Sequence, residues 1–312
     1  MQPVVPDHGG ACIDGIVPAV LGRRPGAPLP AWVPASVADA RQVVLLVLDG
    51  LGWEQLQERA HLAPTLAAMT GGPITSVAPT TTATALTSIT TGKPPAVHGV
   101  VGYRVHVGDG AVMNVLRWET DAGDARDAVP PELFQHEVSF GGRGVTAVIR
   151  AEFLSTGFTA ACLRDARLRG WRVPSTLVVQ VSELLRAGEP FVYAYYDGVD
   201  RVAHQFGMGE YYDAELRAVD RLVADLGDTR KWHGEEDRAI LLRELEFRLA
   251  DEECSLLLVR HVLMTGDVLN IRVHLLGCRF ADSCVGQCNK QETADSNHRR
   301  RRTHVALYAI VG

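Results

Sequence analysis

Apolar residues follow two rhythms along this chain, and the rhythms alternate. Short apolar runs recur at residues 43–48, 74–77, 100–107, 112–118, 145–149 and 191–196 and predict strands. The unbroken ones at 43–48 and 191–196 suit strands covered on both faces, as in a parallel sheet. Between them, residues 52–59, 62–69, 83–91, 176–187 and 211–225 place apolar side chains at helical spacing. This alternation predicts an α/β fold, a three-layer sandwich with a mainly parallel central sheet and helices on both faces. Turn residues around Gly108 and Gly110 separate two strand-like runs, so residues 104–140 read as a small cap.

Three segments put reactive side chains where such a fold binds ligands. The run QVVLLVLDGLGW (42–53) places Asp49 at the C-terminal end of a buried strand. The stretch APTTTATALTSITTGKPPAVHGVVGY (78–103) sets threonines at a strand-to-helix turn, where unpaired N–H groups and the positive dipole end favour an anion. The same threonines would also serve as a helix cap with surplus hydroxyls. FVYAYYDGVDRVAHQFG (191–207) leads into Asp200-x-x-x-His204, one helical turn apart, a spacing that lets both grip one metal ion.

This order of motifs resembles the alkaline phosphatase superfamily, and within it the nucleotide pyrophosphatase/phosphodiesterase branch. That branch carries Pro-x-x-Thr, then Thr-Gly and His-Gly at fixed distances. Pro79-Thr80-Thr81-Thr82, Thr91-Gly92 and His98-Gly99 fall in that register, and the resemblance covers residues 14–227. It implies Thr82 as nucleophile and two zinc ions, one held by Asp49 and Thr82, the other by Asp200 and His204. It further implies in-line attack on phosphorus, a phospho-threonine intermediate, and a small phosphodiester or nucleotide substrate. Tyr103 stands where relatives often carry an asparagine that binds a phosphoryl oxygen. Its phenol can donate such a bond, or the ring can pack as core beneath the site.

The resemblance fails after Gly227. The family's downstream Asp-His-Gly and its late histidine, which supply three more zinc ligands, have no counterpart there. The sole Asp-His-Gly, Asp7-His8-Gly9, precedes the first strand and reads as a turn. Asp267, after the apolar run 255–265, is a weak alternative ligand, because Val268 stands in the place of the histidine. Composition shifts at the same point. All 16 prolines lie at or before Pro190, whereas Cys254, Cys278, Cys284, Cys288 and the basic run Arg299, Arg300, Arg301, Arg302 lie beyond it. The chain thus reads as an alkaline phosphatase-like core over 1–227 and an atypical tail over 228–312, with a helix expected at 235–253 and a non-native continuation suggested. Two functions follow: a metal-dependent phosphodiester or pyrophosphate hydrolase, or a truncated, crippled relative with at most a partial metal site.

A formal net charge of −6 argues against binding a nucleic-acid duplex. Only Cys12 and Cys162 precede the tail, so no disulfide framework is expected. No basic leader with an apolar core opens the chain, and no apolar stretch approaches the roughly 20 residues that span a bilayer. A cytoplasmic location is the expectation; the oligomeric state is left open.

Overall fold

Every position of the first strand, β1 (Gln42–Leu48), is buried, as its uninterrupted apolar run requires. The structure, a computed structural model, describes residues 4–24, 26–38, 40–108, 110–228, 257–265, 268–276 and 305–311. The strands that follow are β2 (Arg104–His106), β3 (Val112–Asn114), β4 (Glu119–Thr120), β5 (Gly123–Asp124) and β6 (Thr146–Arg150). Then come β7 (Arg167–Trp171), β8 (Phe191–Tyr196), β9 (Leu257–Thr265), β10 (Val268–Leu276) and β11 (Val305–Val311). The helices are α1 (Ile16–Leu21), α2 (Trp53–Glu58), α3 (Pro64–Ala67), α4 (Thr82–Thr91) and α5 (Pro95–His98). They continue as α6 (Pro131–Phe134), α7 (Gly157–Cys162), α8 (Pro174–Arg186), α9 (Gly198–Phe206) and α10 (Glu210–Gly227).

The central sheet has five strands in the order β11-β1-β8-β6-β7, and every pairing in it is parallel. Side chains alternate across it. Val43, Leu45, Val47, Tyr193 and Tyr195 enter one core with Ile16 of α1, Leu86 of α4 and Phe158 of α7. Val44, Leu46, Leu48, Val192 and Ala194 enter a second core with Leu56 of α2, Leu66 of α3, Leu177 of α8 and Leu216 of α10. Two cores, one on each face, make the expected three-layer α/β sandwich. No helix among the described residues is long and apolar enough to cross a membrane.

Several expected strands are shorter or differently placed. Residues 74–77 form no strand; Thr75 alone makes a parallel bridge to Cys12. Strand pairing in the run 100–107 is confined to β2, and in 112–118 β3 stops at Asn114, where a turn brings Trp118 N–H to the Asn114 carbonyl at 2.7 Å. These short strands form a separate antiparallel sheet, β2-β3-β4-β5, inside the region expected as a cap. The helix expected at 62–69 is reduced to α3, started by Pro64 at its first turn. The chain divides into two units, Met1–Trp232 with Thr303–Gly312, and His233–Arg302. In the first, β11 lies beside β1 with Gln42 opposite Val305 and Leu48 opposite Val311. In the second, β9 and β10 pair antiparallel, Thr265 opposite Val268. The helix expected at 235–253, Asp267, the four tail cysteines and the basic run lie outside the described residues.

Candidate active site

Parallel strands gather their carboxyl ends at one edge, and here three of them end in charge. β1 runs into Asp49, β8 into Asp197, and β6 ends in Arg150. The Asp49 N–H donates to the Tyr196 carbonyl, and the Asp200 N–H donates to the Asp49 carbonyl, both at 3.0 Å. Asp200 opens the helical turn of α9, so these two bonds fix the aspartate after β1 beside the helix after β8. Gly50 permits the approach. Its φ is +77°, and an added Cβ would stand 2.6 Å from the Asp200 amide nitrogen. From behind, α10 supports both loops: Tyr212 donates to the Gly50 carbonyl at 3.0 Å, and Tyr196 donates to Glu215 at 2.6 Å.

The Asp49 carboxylate accepts a hydrogen bond from the Tyr195 hydroxyl at 2.7 Å. Burial pushes its pKa up to about 6, against the pull of the Tyr195 bond and with help from the Asp200 charge. Burial also raises the Asp200 carboxyl, opposed by His204 and reinforced by Asp197. Asp200 Oδ1 and His204 Nε2 lie 3.4 Å apart. That is about the separation of two donors on one tetrahedral ion with bonds of roughly 2.0–2.1 Å. Two carboxylates that burial pushes toward the neutral form, beside an imidazole, form a donor set that a divalent cation would relieve. The residues fit such an ion. His204 is exposed, which leaves this half of the site open to solvent.

Asp197 is buried at 4 % exposure and belongs to a different arrangement. Arg150 donates from Nε to both of its oxygens, at 2.9 and 3.0 Å. The guanidinium also lies 4.4 Å above the Trp171 ring, and Trp171 donates to the Tyr195 carbonyl at 3.0 Å. This clamp rigidifies the strand that carries Tyr195.

Thr82 is the first residue of α4, and most neighbouring hydroxyls are engaged locally. Thr81 and Thr84 bond each other at 3.0 Å, so Thr81 does not cap the helix with its side chain. Thr87, Thr90 and Thr91 bond back to carbonyls one turn earlier, at 2.7, 3.0 and 2.7 Å. Half-buried Thr82 instead lines a cavity of about 120 Å³ together with Tyr195, Phe153 and Ile149. Tyr195 therefore touches both halves of the arrangement, its hydroxyl on Asp49 and its side chain on the Thr82 cavity.

The rest of the threonine motif is structural. Gly92 closes α4 with φ +67°. His98 is buried, accepts from the Val100 N–H at 3.1 Å and meets Ser88 at 2.8 Å; burial holds its pKa down at about 4, so the ring is neutral. Tyr103 is 42 % exposed, which removes the core reading; its hydroxyl accepts from Asn114 of β3 at 2.6 Å.

The family model for type I phosphodiesterase/nucleotide pyrophosphatase matches residues 43–241. The chain belongs to this family. No curated protein matches it. The type I phosphodiesterases and nucleotide pyrophosphatases are hydrolases of small nucleotide-type substrates, metal-dependent in general. Within this member, sequence reasoning passed over Tyr195, Asp197 and Arg150. Tyr195 had a usable signal, since it precedes the strand end by one residue and faces the same side as Tyr193 and Phe191. Arg150 and Asp197 had none, because their pairing joins residues 47 positions apart.

Proposed function

We propose that this protein cleaves a phosphodiester or pyrophosphate bond in a small nucleotide-like substrate, with Thr82 as the nucleophile. The observation that carries the reading is Tyr195, which holds Asp49 by hydrogen bond and lines the cavity onto which Thr82 faces. Divalent ions, zinc by the nature of the donors, would be held by Asp49 with Thr82 and by Asp200 with His204; they would acidify the threonine hydroxyl and offset charge on the phosphoryl oxygens. Thr82 Oγ1 attacks phosphorus in line with the leaving oxygen, forming the threonine–phosphorus bond as the ester or anhydride bond breaks. Free N–H groups in the first turn of α4 suit the charge on the equatorial oxygens. Water then attacks the phospho-threonine, releasing the phosphorylated product and restoring Thr82.

Turnover of a nitrophenyl phosphodiester by the full chain, with and without zinc, tests this. Zinc-dependent release that falls to background in Thr82→Ala but persists in Thr81→Ala and Thr84→Ala is expected. Undiminished release by Thr82→Ala rules the nucleophile out.

One observation favours a second reading, a relative that keeps the fold without turnover. No Asp-His-Gly follows Gly227, so each ion would have only two of the donors identified here. On that reading residues 228–312 are an atypical, non-native continuation. Wild-type turnover at background under saturating zinc, with a transcript across codons 220–312 encoding a restored Asp-His-Gly, is its expected result.

A further inference from the structure

We propose that His8, Cys12 and Asp14 form a zinc site of their own, separate from the phosphoryl-transfer site. Asp7-His8-Gly9 is the turn that its composition predicts, but it is a turn with an organised interior. The Asp7 carboxylate accepts from the Ala11 N–H at 2.8 Å, and its carbonyl accepts from Gly10 N–H at 2.8 Å. The Asp7 N–H donates to Thr75 Oγ1 at 2.9 Å, while Ile13 N–H donates to the Thr75 carbonyl and Thr75 N–H to the Ala11 carbonyl. These bonds fix the backbone on both sides of Cys12 and bring three different donors together.

His8 Nδ1 lies 2.6 Å from Asp14 Oδ2 and 4.0 Å from Cys12 Sγ. All three donor atoms lie within 4.8 Å of one another. Cys12 is fully buried and Asp14 is 5 % exposed. The second oxygen of that carboxylate, Oδ1, is buried and has no hydrogen-bond partner. A buried carboxylate with one oxygen unpaired is short of positive charge and of partners. A dication supplies both.

The donor set selects the metal class. A thiolate with an imidazole and a carboxylate suits zinc, whereas calcium and magnesium take oxygen ligands. On a tetrahedral zinc ion, bonds of roughly 2.0–2.3 Å set donors about 3.3–3.6 Å apart. The nitrogen–oxygen pair must open by under about 1 Å and the nitrogen–sulfur pair close by about half that. His8, with a side chain 41 % exposed, can swing by this much without moving the backbone. Its exposure also leaves a fourth position for water. Binding releases the Cys12 proton to solvent, so the thiolate and carboxylate balance the charge of the ion.

The place of the cluster gives it a bracing role. Asp14 lies in the short turn Ile13–Gly15, against the C-terminal end of α4: a Cβ on Gly92 would stand 3.5 Å from the Asp14 carbonyl oxygen. Thr82 begins the same ten-residue helix, about 15 Å away. An ion here braces the turn that packs against the far end of the nucleophile's helix and takes no part in the reaction.

Cobalt and zinc titration of the chelator-treated full chain tests the site. Wild type should develop a near-ultraviolet thiolate-to-cobalt charge-transfer band and bind one more zinc per chain than Cys12→Ser. His8→Gln, which keeps a hydrogen-bond donor for the Asp14 carboxylate, should lose the same equivalent and the band. Asp49→Ala should keep the band, because none of the donors proposed for the phosphoryl-transfer site (Asp49, Thr82, Asp200 and His204) is a thiolate. Absence of the band in wild type, its persistence in Cys12→Ser, or equal zinc content in wild type and both variants overturns the proposal.

Discussion

The Asp200 amide donates to the Asp49 carbonyl at 3.0 Å, and that bond exists only because Gly50 intervenes without a side chain. Gly50→Ala adds a Cβ against Asp200 and forces a left-handed backbone on alanine, which alone costs about 1–2 kcal/mol. Gly26 shares the φ of +77° but faces open space. Urea unfolding should therefore show Gly50→Ala destabilised by at least about 1 kcal/mol more than Gly26→Ala. Equal losses would mean that the contact with Asp200 is unimportant.

Tyr195→Phe removes the hydrogen bond to Asp49 while keeping the ring in the core. That bond holds the Asp49 pKa down, so its loss raises the carboxyl further. On the proposed role of Asp49 as a ligand, metal affinity should fall about 10–100-fold, as for other partners of ligating groups. Zinc titration near pH 7 reads the effect directly, and unchanged affinity would dismiss Tyr195 as an orienting residue.

Arg150→Met leaves the buried Asp197 carboxylate with the more distant, exposed Arg201 guanidinium at 3.7 Å in place of its close partner. Breaking a buried pair from one side costs about 3–5 kcal/mol, whereas removing both charges costs far less. Denaturant unfolding should show Arg150→Met strongly destabilised and the double variant Arg150→Met/Asp197→Asn closer to wild type. A double variant as unstable as the sum of the singles would refute the coupling.

Two desolvated groups, the buried His98 and the half-buried Asp49, push the acid stability of the metal-free protein in opposite directions. His98 has its pKa depressed from 6.5 to about 4, so the unfolded chain takes up its proton first and stability falls as pH drops through that window. Asp49 has its pKa raised from 3.8 to about 6, so the folded state takes up its proton first and stability rises as pH drops through nearly the same window. Each shift amounts to about 3 kcal/mol, and they offset each other. Asp49→Asn should expose the His98 limb as a steeper acid loss between pH 6.5 and 4, and His98→Asn should flatten or reverse the slope. Unfolding midpoints across that range decide it.

Much of this architecture was legible because burial imposes composition. β1 and β8 carry unbroken apolar runs since both of their faces are covered, and α8 and α10 carry a clear apolar stripe. β7 escaped notice because it is an edge strand: Arg167 and Arg169 face out, and only Trp171 is buried. β11 is a seven-residue apolar run but follows directly on a basic tract of foreign composition. At the site, Asp49, Thr82, Asp200 and His204 could be picked out from local order along the chain. The bond from Tyr195 to Asp49 and the pairing of Arg150 with Asp197 depend on which distant segments the fold brings together.

The division of the interior into two cores has a kinetic corollary. Thr82 rides on α4, whose Leu86 and Ile89 belong to one layer, while Asp200 and His204 ride on α9, whose Val199 belongs to the other. A refolding intermediate with a single layer docked holds either Thr82, the proposed nucleophile, or the Asp200–His204 pair in place, never both. Recovery of turnover should then follow the slower layer, lagging any spectroscopic signal confined to the faster one. On the proposed mechanism, no half-formed molecule would turn over substrate on its way to the native state.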